Sequence, residues 1–446
     1  MSRGLQAFVA FLLFAISNLR TSSAEDWPQW RGPNGTGSTE SEAPEGSGPP
    51  VRWSRTENIV WRTPIEGRGH STPVVIGNRV LVTTAVPTGD PLPPRMSGRP
   101  GEHDNLPVTS RTQFRVVCID RESGSIRWNR AVHEALPIEG GHVSASLASA
   151  SPIVDDTYVF AMFGSHGLYC LDLEGNVVWQ KHLGVMHSKH GHGEGASPTL
   201  YGDSLIVNWD HEGQSFVVAL NRHDGTEIWK REREEVTSWS SPIVIDVDNH
   251  PQVIVCGTEK VRGYDLRSGK TIWECGGLSA NIVATPVYDP KTGILVVGSS
   301  YEIRKMLGLQ VSGARGDITD SERVVWSRTR GTPYVPSFLL VNGGVFFLGH
   351  YQNVLTRIRV QDGSEAPGPM RLGALGSIYA SPVSDGKHVF VTDLRGTTQV
   401  ITATESPKVI ALNQLEENVN ASLAIVGDSI LLRSEQALYR IANESK

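Results

Sequence analysis

The chain has 446 residues, 39% of them apolar and 20% charged, with 46 glycines and a formal net charge of −6. Such a composition describes one large soluble domain. A mildly acidic balance without a basic patch excludes nucleic acid as a partner.

The chain opens with Arg3, an apolar run from Leu5 to Ile16, and Ser22-Ser23-Ala24 ahead of Glu25. This pattern predicts a cleavable secretory signal over residues 1–24, too short to span a bilayer comfortably. No cysteine follows the predicted cut, so neither a lipid nor a transmembrane anchor is expected, and the protein should be secreted or periplasmic. Residues 25–57 form an N-terminal extension that carries Trp27-Pro28-Gln29-Trp30-Arg31-Gly32-Pro33 and a Gly/Ser/Pro/Glu-rich tether.

From residue 58 to 446 one pattern recurs. A Ser/Thr-Pro step followed by aliphatics stands at Thr72-Pro73, Ser151-Pro152, Ser197-Pro198, Ser241-Pro242, Thr285-Pro286 and Ser381-Pro382, with weaker copies at Pro336-Ser337 and Ala421-Ser422. A glycine precedes a tryptophan by four residues at Gly124/Trp128, Gly175/Trp179, Gly225/Trp229 and Gly269/Trp273. Periods of this size mean a solenoid, a propeller or an array. The runs between are short and β-branched, as in Tyr158-Val159-Phe160-Ala161-Met162, and Gly, Asp and Asn punctuate them, which is hairpin grammar. Four strands per unit with an aromatic signature predict an all-β, eight-bladed β-propeller with four-stranded blades. The last unit lacks its outer tryptophan strand, and Asn58–Arg62, containing Trp61, is predicted to supply it and close the ring.

Residues 86–112, rich in proline, read as an insertion in the first blade, and long insertions in compact domains are commonly functional. Cys118, Cys170, Cys256 and Cys275 fall on positions too far apart to pair and are expected as free, buried thiols. Gly202-Asp203-Ser204-Leu205 spells a hydrolase tag, but Gly427-Asp428-Ser429-Ile430 repeats it at the equivalent hairpin, so both read as turns. Arg315-Gly316-Asp317 reads as a chance tripeptide in a linker.

The Ser-Pro starts and the Asp-x-x-x-Gly-x-x-x-Trp ends resemble the PQQ-type (pyrroloquinoline quinone) propeller repeat of quinoprotein dehydrogenases and of BamB, an outer-membrane assembly lipoprotein. The opening Trp-Pro-x-Trp-Arg-Gly-Pro resembles secreted BamB-like proteins. For a dehydrogenase, the resemblance implies an adjacent cysteine pair over the quinone, a tryptophan floor, and calcium held by Glu, Asn and a catalytic Asp. The chain has no Cys-Cys pair and no Cys-x-x-Cys-His haem site. Trp239, Glu194 and Asp210 can be fitted to the remaining roles, though nothing in their spacing demands it.

In an up-and-down blade, the loop entering the innermost strand and the turn between strands two and three lie on one side. The entering loops bring Gly141–Ser144, His187–Glu194, Thr237–Trp239, Asn281, Tyr334, Tyr379 and Asn420 to that mouth. The turns bring Ser165-His166, Asn208–Glu212, Glu259-Lys260, His350-Tyr351 and Arg395. His142, His190, His192, Glu194, Asp210, His211, Glu212 and Trp239 are therefore the candidate binding residues. His190, His192 and Glu194 alternate, and an extended backbone would aim all three to one side.

Three readings fit the cluster: a solvated loop whose histidines bond neighbouring turns; a ligand or peptide pocket with Trp209, Trp239 and Tyr334 as faces; or a divalent metal on His190, His192 and Glu194 or Asp210. The reading adopted is a monomeric binding or assembly scaffold for a protein of the periplasm or cell envelope, or for a polar small ligand. The alternative is an oxidoreductase at the same mouth, dependent on a metal or on PQQ with calcium.

Overall fold

The computed structural model describes residues 26–39, 46, 48–349, 353–365 and 367–443; the predicted signal and His350-Tyr351 lie outside the described residues. Eight sheets, antiparallel except for one added edge strand, form the ring. Blade 1 runs Val74–Ile76, Arg79–Thr88, Arg111–Asp120 and Ile126–Ala135 from the channel outward. In blade 8 the outermost strand is Ile59–Pro64 from the N-terminal side, paired antiparallel with Ala437–Ala442, so that Trp61 faces Arg440. The closure read from the missing tryptophan strand is thus observed.

The repeat has a physical cause at each end. At the inner end, the Ser/Thr hydroxyl of one blade accepts the backbone N–H of the blade before it. Thr72 donates to Ser151 (3.0 Å), Ser151 to Ser197 (2.9 Å), and Ser197 to Ser241 (2.9 Å). Ser241 donates to Thr285 (3.3 Å), Thr285 to Ser337 (2.9 Å), Ser337 to Ser381 (2.9 Å) and Ser381 to Ser422 (2.9 Å). A buried amide next to a channel needs such a partner, because leaving it unmade costs about 1–3 kcal/mol. At the outer end each tryptophan reaches the next blade. Trp179 Nε1 donates to Arg222 O (2.9 Å), and its ring lies against Gly225 of that blade's turn. Gly225 has φ +70°, and a Cβ there would come within 2.8 Å of the indole. Trp61, Trp128, Trp229 and Trp326 repeat the contact one blade on.

Blade 4 departs from the pattern. Gly316–Asp317 returns from blade 5 to pair in parallel with Thr271–Gly276, which covers that outer edge and leaves Trp273 fully buried. Arg315-Gly316-Asp317 is therefore part of an edge strand and its approach, not a loose linker. The two Gly-Asp-Ser sequences are turns leading into Ser204–Trp209 and Ser429–Arg433. All four cysteines are free and buried, and burial pushes the Cys118, Cys170 and Cys256 thiols up to about 12 and that of Cys275 to about 11.

Candidate functional site

The channel is a well closed at one end. Residues 27–39 cross its base along the ends of the inner strands. Trp27 exchanges both backbone bonds with Val75, Pro28 O accepts Val154 N–H, Thr36 O accepts Leu340 N–H, and Gly37 O accepts Ser384 N–H. Trp27 is fully buried, while Trp30 reaches up so that its Nε1 donates to Thr285 of the hydroxyl ring (3.3 Å). Arg31 is 2% exposed, donates to Phe338 O, and burial lowers its guanidinium to about 9. The tryptophan-rich opening motif is thus the floor of the well.

The open mouth is roofed on one side by the blade-1 insertion. Beyond Thr88 the chain continues as a ribbon in which Arg95 pairs with Val108, and Asn105–Leu106 pairs with Gly141–His142 from the loop into blade 2. The Asn105 amide also donates to His190 O (2.8 Å) and Gly191 O (3.0 Å) of the loop into blade 3. Three segments are knitted together this way. The well beneath them, about 410 Å³, is lined by Trp30, His103, His142, His190, His192, Glu194, Trp239, Tyr301, Tyr334, Tyr379 and the hydroxyl ring. A side chamber of about 220 Å³ under the insertion shares Glu194 and Trp239 and is walled by Leu106, Val108, Ile138, Met162, Phe163 and Met186.

The predicted residues part ways inside this frame. Lys189–Gly191 is a 3₁₀ turn with His190 at φ +56°, and Gly191 and Gly193 also have positive φ. The backbone is therefore not extended, and Glu194 turns away from the histidines. Its carboxylate accepts the Ser165 N–H (2.6 Å) and the Ser165 hydroxyl (2.5 Å). Burial nevertheless raises it to about 7, outweighing those two bonds. Among the described residues no group of three or more His, Cys, Asp or Glu side chains stands as a ready-made metal site, so the predicted set of His190, His192 and Glu194 does not assemble.

Asp210 is occupied as well. It takes a bidentate pair from Arg233 (2.8 and 3.0 Å) and the Ser238 hydroxyl (2.8 Å). Burial alone would lower Arg233, but Asp210, Tyr264 and Glu235 raise it above its ordinary value. His211 Nδ1 accepts His187 N–H, and Glu212 accepts both the N–H and the hydroxyl of Thr237, so these two hold loops rather than face the well. Trp209, predicted as a binding face, is 2% exposed and packs on Phe216 with ring centroids 5.8 Å apart. Trp239 does line the well, anchored through Nε1 to Gly193 O (2.8 Å), with His192 6.5 Å away.

Burial, and then the neighbouring imidazoles His142, His103 and His190, depress His192 to about 4, and burial lowers His142. Both are neutral near pH 7. His103 was missing from the candidates read in sequence. It sits on the proline-rich insertion, where no repeat marks it, and its one signal was being the insertion's lone histidine.

Eight four-stranded blades around a floored well define an eight-bladed β-propeller. The chain belongs to the family described as outer membrane protein assembly factor BamB, whose model matches residues 45–184 and 112–366. Among solved structures it is similar to BamB from Moraxella catarrhalis, with TM-score 0.55 and 14% identity over 81% of this chain and 100% of that one. The C-terminal WD40 domain of Sif2 matches with TM-score 0.52 and 10% identity over 87% and 98%. A europium-containing methanol dehydrogenase matches with TM-score 0.48 and 11% identity over 93% and 91%. At such identities the likeness is one of fold. No curated protein sequence matches the chain.

Proposed function

We propose that this propeller is a binding scaffold of the cell envelope that engages a protein partner through its mouth face. One observation carries the reading. Outside the outermost strands, the exposed large apolar side chains gather at the mouth: Leu92, Met96 and Leu106 on the insertion, Leu136, Ile138 and Val143 beside it, then Val185, Tyr301 and Ile303. Apolar surface concentrated on loops that a rigid ring presents is the usual signature of an interaction site. The family's description as an assembly factor agrees with it. No helix among the described residues is long and apolar enough to cross a membrane, and we place the chain in the periplasm or outside the cell on the strength of residues 1–24. The polar ligand remains the second reading, favoured by the aromatic faces of Trp30 and Trp239 over the hydroxyl ring.

A calcium–quinone centre does not fit these residues. Asp210 is closed by Arg233 and Ser238, Glu194 is bonded to Ser165, and the cysteines are scattered through the core. The test is a thermal-shift titration with PQQ at excess calcium. A ligand that binds the folded state raises the melting temperature with saturation. A flat response is expected, and a saturable rise lost in Glu194→Ala would overturn the scaffold reading.

A further inference from the structure

His103, His190 and His192 come from two separate loops, and their ring centroids form a closed triangle. The sides are 4.7 Å (His103–His192), 5.4 Å (His190–His192) and 5.7 Å (His103–His190). Three imidazoles bound to one tetrahedral cation at about 2.0–2.1 Å through nitrogen have ring centroids about 5 Å apart. The tautomers agree with that arrangement. His103 Nδ1 faces Gly101 O (2.8 Å) and His190 Nδ1 faces Pro100 O (2.8 Å). A carbonyl only accepts, so each Nδ1 carries the proton and each Nε2 keeps its lone pair. Metal-bound histidines are held in this way by their other nitrogen. His192 Nε2 is buried without a hydrogen bond of good geometry, and the ring's backbone neighbour is His103 itself.

His142 completes the group differently. The Ser144 backbone N–H donates to its Nδ1 (3.2 Å), which puts the ring proton on Nε2. Its centroid is 5.0 Å from His192, so it stands beside the triangle as a donor rather than a fourth ligand.

We propose that His103, His190 and His192 bind one divalent transition-metal ion at the mouth of the well, with a fourth position open toward His142. All-imidazole ligation selects zinc, copper, nickel or cobalt over calcium or magnesium. The rings must turn to bring their Nε2 atoms onto one centre, since no finished site stands among the described residues. His103 is exposed on the insertion, which gives its ring room to adjust about the Nδ1–Gly101 contact. Binding of the ion would tie the insertion to the loop entering blade 3 and fix the face assigned to the partner, but the site does not depend on that assignment.

The test uses tag-free full chain, chelator-stripped and titrated with Co²⁺, with visible ligand-field absorption and native mass spectrometry as readouts and Zn²⁺ as competitor. The expected result is one equivalent bound at micromolar Kd or tighter. His103→Ala, an exposed position that leaves the fold intact, should weaken binding by at least about 100-fold, more than an outer-shell loss usually costs. His223→Ala, at an exposed histidine in the turn before the outermost strand of blade 3, should leave binding within about threefold. Absence of binding below millimolar Co²⁺, unchanged affinity in His103→Ala, or loss in His223→Ala would each overturn the proposal.

Discussion

Asp210→Asn separates a structural acid from a chemical one. Arg233 and Asp210 have side chains 1% and 0% exposed, so the variant leaves a guanidinium buried with its charge uncompensated at that edge. Breaking a buried pair from one side costs about 3–5 kcal/mol. Glu235 Oε1 remains 3.8 Å from Arg233 and Tyr264 still accepts from it, which argues for the lower end, about 3 kcal/mol. With an unfolding entropy of about 2 cal/mol/K per residue, a ring of this size should then melt about 3 °C lower by calorimetry. The double variant Asp210→Leu/Arg233→Met should recover most of the loss, because a buried pair is often replaceable by apolar residues of similar volume. An Asp210→Asn protein that melts with the parent would refute the reasoning and return Asp210 to the pool of reactive groups.

Gly225→Ala should cost about 2–4 kcal/mol from positive-φ strain plus overlap with Trp179, whereas Gly202→Ala, with φ +55° and nothing within 4 Å, should cost about 1 kcal/mol; equal losses in thermal unfolding would dismiss the tryptophan contact as the cause of the repeat. Glu194 has its folded pKa raised from 4.5 to about 7, so its neutral form stabilises fully below 4.5 and that contribution fades as pH rises through 7. Glu194→Gln should flatten this part of a Tm–pH profile. His192, lowered from 6.5 to about 4, acts in the opposite sense: its contribution is present above 6.5 and lost as pH falls through 4, which a His192→Gln profile would reveal.

The ring was legible because its cause is local and periodic. A hydroxyl that accepts the neighbouring blade's amide and a glycine that admits the neighbouring indole must recur in every unit, so both appear as spacing. The missing tryptophan strand of blade 8 could be read for the same reason. Contacts without a period left no such trace. The floor depends on Trp27, Trp30 and Arg31 meeting blades 1, 5 and 6 over long sequence separations. His190, His192 and Glu194, read from alternation, do not converge because His190 and Gly191 turn the chain through positive φ; His103, whose ring meets those of His190 and His192, arrives from a loop with no repeat. Trp209 broke the period and looked like a ligand face, yet its departure serves the core.

If the partner docks on the mouth face, site-specific photo-crosslinking in cells that make the protein will capture it there. Photoreactive residues at Met96 and Val143 sample the mouth, and those at Ile126 and Val409 sample equally apolar, exposed positions on the outer strands. Discrete adducts with an envelope protein from Met96 and Val143 alone are predicted. Adducts from Ile126 or Val409 instead, or from neither face, would contradict the account.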